Sequence, residues 1–188
     1  MFILENKDGE AILAELAVAT DRSAAILGAS IVDVELTAMI RRFLRDDPKL
    51  FAEAINGNGF LSSFSARINI AYMINIYGNT AYADLNLIRK VRNDFAHDLR
   101  KGDFEEGSIR GRCAALKAPD DYTFEYGGDL KHADGRPQVA IKGLAGALTT
   151  PRGRYLVACE VYGAVFRHWN PLVAKFFEAP PSIGKGER

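Results

Sequence analysis

The stretch from Asp84 to Arg100, DLNLIRKVRNDFAHDLR, constrains the fold of this chain more than any other. Leu85, Ile88, Val91 (or Arg92), Phe95 and Leu99 recur at steps of three and four, the pattern of one apolar helix face. The other side carries Arg89, Arg92, Asn93, Asp94, His97 and Asp98. At about 100° per residue, Arg89, Asn93 and His97 stack as an i, i+4, i+8 row. Arg92 and His97 are five positions apart and diverge by roughly 140° on an ideal helix. They cannot form a tight pair within one straight helix. A helix end near His97, or the same helix from a second protomer, is needed to bring them together.

The hexapeptide Arg92-Asn93-Asp94-Phe95-Ala96-His97 resembles the Arg-x4–6-His motif of the HEPN superfamily, all-helical and usually dimeric nucleotide- and RNA-associated domains. The run NGNGFLSSFSARINIAYMINIYG (56–78), followed by DLNLIRKVRNDFAH (84–97), resembles the mannitol-operon repressor family, which is itself HEPN-like. The resemblance spans about residues 18–118 and the helix near 150–168. It implies an all-α, HEPN-like helical bundle and a homodimer. It also implies a regulator that has no DNA-binding module of its own and acts through a regulatory protein partner. The alternative it carries is a metal-independent ribonuclease whose catalytic residues are Arg92, Asn93 and His97, meeting across a dimer cleft with RNA as substrate.

The chemistry of that alternative is sound for these residue types. RNA brings its own nucleophile, the 2′-OH. A neutral imidazole such as His97 can take that proton or return one to the leaving oxygen. A guanidinium such as Arg92 binds phosphate bidentately, and Asn93 can orient either group. Against it stands the bland reading: His97 as a histidine hydrogen-bonded at a helix end, and Arg92 in a salt bridge with Asp33 or Glu35 of a neighbouring helix. Asp94 and Asp98, at i and i+4, lack further ligand-spaced groups, so no metal site and no cofactor are expected.

Charge narrows the partners. Lys+Arg and Asp+Glu both number 24 in 188 residues, so the chain lacks the global basic field of a duplex-DNA binder. No helix-turn-helix with a basic recognition helix is evident, and direct binding to duplex DNA is not expected. Cys113 and Cys159 have neither metal spacing nor a disulfide framework, and read as reduced core thiols of a cytoplasmic protein. No apolar run approaches the roughly 20 residues of a membrane span.

The remaining elements follow from punctuation. Residues 9–19 read as a helical segment, and Asp21 as the cap of a helix from Arg22 to Leu44 in which Ala24, Gly28, Ala29 and Ser30 allow a close helix neighbour. Asp46-Asp47-Pro48 ends that helix. Asn56-Gly57-Asn58-Gly59 is a turn, without the Lys-Ser/Thr of a phosphate-binding loop. Ser63 or Ser65 starts a helix through Ile76, Gly78 takes the left-handed position at its end, and Thr80 opens the central helix. Ser108 caps a short helix through Ala118. Residues 119–148 form a long loop or short hairpin, with Tyr122, Phe124 and Tyr126 as a half-buried strand rather than an RNA-stacking surface. Thr150-Pro151 starts the last long helix, and Leu172 to Phe177 add one more turn. The organisation expected is one helical domain over 1–178, with an irregular insertion before its last long helix and a flexible tail over 179–188.

Overall fold

The computed structural model describes residues 15, 16, 18–98, 102–121 and 147–167. In chain order these form α1 (Asp21–Phe43), α2 (Pro48–Ile55), α3 (Phe64–Met73), α4 (Asn79–His97), α5 (Gly107–Ala115), the single turn α6 (Ala118–Asp121), a 3-10 turn (Ala147–Thr149) and α7 (Pro151–Arg167). Among the described residues there is no strand, and the fold is all-α as expected. The expectations for residues 9–14, for most of the 119–148 insertion with Tyr122, Phe124 and Tyr126, and for Leu172 to Phe177 fall outside the described residues.

The long helices α1 and α7 make the most extensive contact in the molecule, and α4 packs beside α1. Small residues let them approach. A Cβ added at Gly28 would lie 3.3 Å from Cys159 Sγ, and one at Gly163 would lie 3.3 Å from Ile31 Cγ2. Tyr155 crosses the same contact, its hydroxyl donating to the Ala25 carbonyl at 2.8 Å. Ion pairs fasten both ends: Arg152 with Asp21, and Arg167 with Glu35 through Nε at 2.9 Å. Helix α1 is long and apolar enough, by length and composition, to cross a membrane, which the sequence reading had excluded. Part of that apolar surface serves the core: Ala24, Ala25, Val32, Leu36, Met39 and Ile40 are buried against its neighbours, while Val34 and Phe43 are exposed.

The central helix buries the face that its periodicity predicts. Ala81, Leu85, Ile88, Val91 and Phe95 are inside. Aromatic contacts carry that face on to α7: Phe95 meets Phe104 at 4.9 Å between ring centroids, and Phe104 meets Tyr155 at 5.3 Å.

Several helix ends differ from the sequence reading. Thr20, not Asp21, caps α1 by accepting from the Ser23 amide. Asp47-Pro48 ends nothing: Asp47 accepts from the Leu50 amide and Pro48 opens α2, where its missing N–H is no loss. Ser63 caps α3 as expected. That helix stops at Met73, and the left-handed residue after it is Asn75 (φ 59°), while Gly78 stands at the N-terminal cap of α4. Helix α5 begins at Gly107 behind Glu106, and Ser108 donates its hydroxyl to that glutamate rather than capping. Thr150 accepts from the Gly153 amide at 3.0 Å and Pro151 starts α7, as the sequence indicates.

Candidate functional site

The polar side of α4 is divided between two flanks. On one, Asp94 pairs with Arg112 of α5. On the other lie Arg89, Arg92 and Asn93, all half-buried, with His97 exposed as the last helical residue. Arg92 Nη1 donates to Asn93 Oδ1 at 3.0 Å. Arg89 Nη2 makes only a long 3.4 Å contact with Asn86 Oδ1. The Arg89 Nε is buried and has no hydrogen-bond partner. An orphaned buried donor costs about 1–3 kcal/mol, so this is a place where the fold gives up stability.

The expected salt bridge from Arg92 to Asp33 or Glu35 does not form. Asp33 is taken by Arg67 of α3, bidentately at 2.7 and 2.6 Å, and Glu35 by Arg167 of α7. Both carboxylates lie on α1 where α3 and α7 reach them first. One continuous helix runs from Asn79 to His97, so the divergence of Arg92 from His97 stands, and no hydrogen bond joins the two. The positive charge of Arg92 opposes the upward push of burial on the Tyr155 phenol.

Two residues that the sequence reading left without a role hold this region in place. Arg22, in the first turn of α1, donates to the carbonyls of Phe95 and Asp98, satisfying acceptors that the end of α4 leaves open. Nothing local in the sequence signals a contact across more than 70 positions. Asp84 is fully buried and accepts from the amides of Lys117 (3.0 and 3.1 Å) and Ala118 (2.8 Å) and from the Tyr162 hydroxyl (3.0 Å). It had a sequence signal: a charge at a position one turn from Ile88, squarely on the apolar face.

The other titratable groups of the core offer no ready chemistry. Burial pushes the Cys113 thiol up to about 12 and the Cys159 thiol well above its ordinary value, so both stay protonated and weakly nucleophilic near neutrality. Arg154 holds Asp120 at 2.7 and 2.9 Å, and that hydrogen bonding keeps the carboxyl below its ordinary range. Among the described residues, no group of three His, Cys, Asp or Glu side chains is placed to hold a metal ion.

The fold has a known counterpart. The chain is similar in structure to a chain of the X-ray structure of the MtlR–HPr complex from Escherichia coli, with a TM-score of 0.59 and 16% sequence identity over 84% of this chain and 97% of that one. At that identity the likeness shows the fold, an MtlR-like helical bundle. A scan against protein-family models finds no match, and a comparison with curated protein sequences finds none either.

Proposed function

We propose that this chain is a regulatory helical protein of the mannitol-operon repressor kind, HEPN-like in origin, that controls transcription by binding another protein rather than DNA. The observation that carries the reading is the likeness over 97% of a chain that was crystallised in complex with the protein HPr. The zero formal net charge agrees, since a duplex-DNA reader needs a basic surface. In this reading the chain is cytoplasmic, pairs with a second copy of itself, and occupies residues 1–178 as one domain. The test is calorimetric titration of the purified chain with HPr of the same organism. A saturating isotherm with a dissociation constant in the micromolar range supports the reading. Absence of any interaction at millimolar concentration removes HPr as the partner and leaves the regulatory reading without its support.

A second reading is favoured by one arrangement: Arg92 is not taken by any carboxylate, and His97 is exposed at the end of its helix. Those are the conditions under which Arg92, Asn93 and His97 of two protomers would line a ribonuclease cleft. Cleavage of a mixed single-stranded RNA pool in EDTA decides it. Products with 2′,3′-cyclic phosphate ends, lost in folded Arg92→Ala and His97→Ala variants, make the chain an enzyme. An inert wild type ends that reading.

A further inference from the structure

Helix α2 stands apart in this bundle. Among the described helices it alone makes no extensive contact with another helix, and of its eight residues only Ala54 is buried. It is nevertheless held firmly. Asp47 caps its first turn through the Leu50 amide, and beyond its end the Leu61 amide donates to the Ala54 carbonyl at 2.8 Å. The Arg41 guanidinium lies 4.8 Å from the Phe51 ring centroid. The result is a fixed face of exposed residues. Leu50 is 59% exposed and shares a side with Glu53 and Ala54, one turn further on. Phe60, 69% exposed, follows Gly59, whose backbone closes against the carbonyls of Glu53 and Ala54.

Two charges share this face in an order that works against the helix. Lys49 stands in the first turn and Glu53 four residues later, both exposed and neither in an ion pair. A cation near the N-terminus and an anion nearer the C-terminus oppose the helix macrodipole. Lys before Glu at i, i+4 is also the weaker order for a pair within one helix.

We infer that α2 is the contact between two copies of this chain, packed antiparallel about a twofold axis. The inference rests on the self-pairing contained in the regulatory reading above and gives it a surface. Run antiparallel, the unfavourable order becomes its own complement: Lys49 of each copy comes beside Glu53 of the other, and the opposed helix dipoles attract. Leu50 and Phe60 of both copies are then withdrawn from water, and the exposed Ala52 between the two charges leaves room for close approach. A partner of another sequence fits less well. The face carries one charge of each sign, so it offers no field to steer an acidic or a basic surface. Two eight-residue helices form a small interface, which sets the expected dissociation constant at roughly tens to hundreds of micromolar.

The test is sedimentation equilibrium of the full chain from micromolar to near-millimolar concentration. The expected result is a reversible dimer that weakens at least tenfold in Leu50→Gln, Phe60→Ser, Lys49→Glu and Glu53→Lys. Mixing the Lys49→Glu and Glu53→Lys proteins, in which each acid again meets a base, restores the dimer. Arg110→Gln, an exposed arginine on α5, leaves it unchanged, and thermal melts confirm that all variants fold. A monomer at the highest concentration overturns the inference. So does a dimer indifferent to the four substitutions, or a pair of charge variants that stay apart when mixed. Titration of the same samples with HPr separates the two proposals. HPr binding without a dimer sinks the α2 contact and spares the regulator; a dimer that obeys the charge swaps without HPr binding does the reverse.

Discussion

The Tyr162 hydroxyl donates to the Asp84 carboxylate at 3.0 Å in the interior of the bundle, joining the central helix α4 to the last helix α7. The same carboxylate receives the backbone amides of Lys117 and Ala118, where α5 gives way to α6. One acidic side chain therefore ties three parts of the fold that are far apart in sequence. A buried charge survives only when its lone pairs are filled, and here two backbone amides and a tyrosine hydroxyl fill them.

Replacing Asp84 should be severe. Asp84→Ala removes the acceptor of the buried Ala118 amide, the buried Tyr162 hydroxyl and the half-buried Lys117 amide, and the expected loss is roughly 3–5 kcal/mol. That is a large part of the stability of a domain of this size. Tyr162→Phe removes one of the donors and should cost only about 1–2 kcal/mol. Urea unfolding of both variants checks the order. Equal losses would mean that the tyrosine, and not the amides, holds the charge.

The contrast between Asp84 and its neighbours shows what the sequence reveals of this fold. Leu85, Ile88, Val91 and Phe95 were legible because a helix face is a local, periodic property. So were Ser63 and Thr150-Pro151, whose capping bonds reach only three residues. Pro48 and Gly78 were misread because each residue type serves two ends: proline stops a helix before it or opens one at its own position, and glycine suits either cap. The partners of Arg92 were beyond reach for another reason. Asp33 and Glu35 had the right chemistry, but which arginine reaches them depends on how α3 and α7 pack, which no local pattern encodes.

The turn Asn56 to Gly59 separates two roles for glycine. Gly57 has φ of 54° with nothing within 4 Å of an added Cβ, so Gly57→Ala should cost only the backbone strain, about 1 kcal/mol. A Cβ on Gly59 would overlap the carbonyls of Glu53 and Ala54 at the end of α2. Gly59→Ala must displace that helix end and the Leu61 amide that bonds Ala54, at a cost of about 2–3 kcal/mol. Denaturant midpoints of the two variants test the ranking, and a reversed order would refute it.

Arg89 carries a stability prediction of its own. With its buried Nε lacking a partner, the residue costs more in place than an apolar side chain of similar length. Arg89→Met should raise stability by about 1 kcal/mol. A thermal melt that shifts downward instead would show that the guanidinium contributes to packing more than its orphaned donor costs.

Glu160 on α7 gives the protein its clearest dependence on pH. Both carboxylate oxygens are buried without a hydrogen-bond partner, and burial alone pushes the group up to about 8. The folded state therefore holds this proton over a range in which the unfolded chain, with an ordinary value near 4.5, has released it. A native state that binds the extra proton is stabilised by acid: the contribution is complete below about 4.5 and is lost as pH rises through about 8. The linkage corresponds to a swing on the order of 5 kcal/mol. Glu160→Gln, neutral throughout, should lose this slope and become more stable than wild type above pH 8. Urea midpoints at pH 5, 7 and 8.5 for both proteins measure it. A wild-type curve parallel to that of Glu160→Gln would mean that the folded carboxylate finds a partner or water when it ionises.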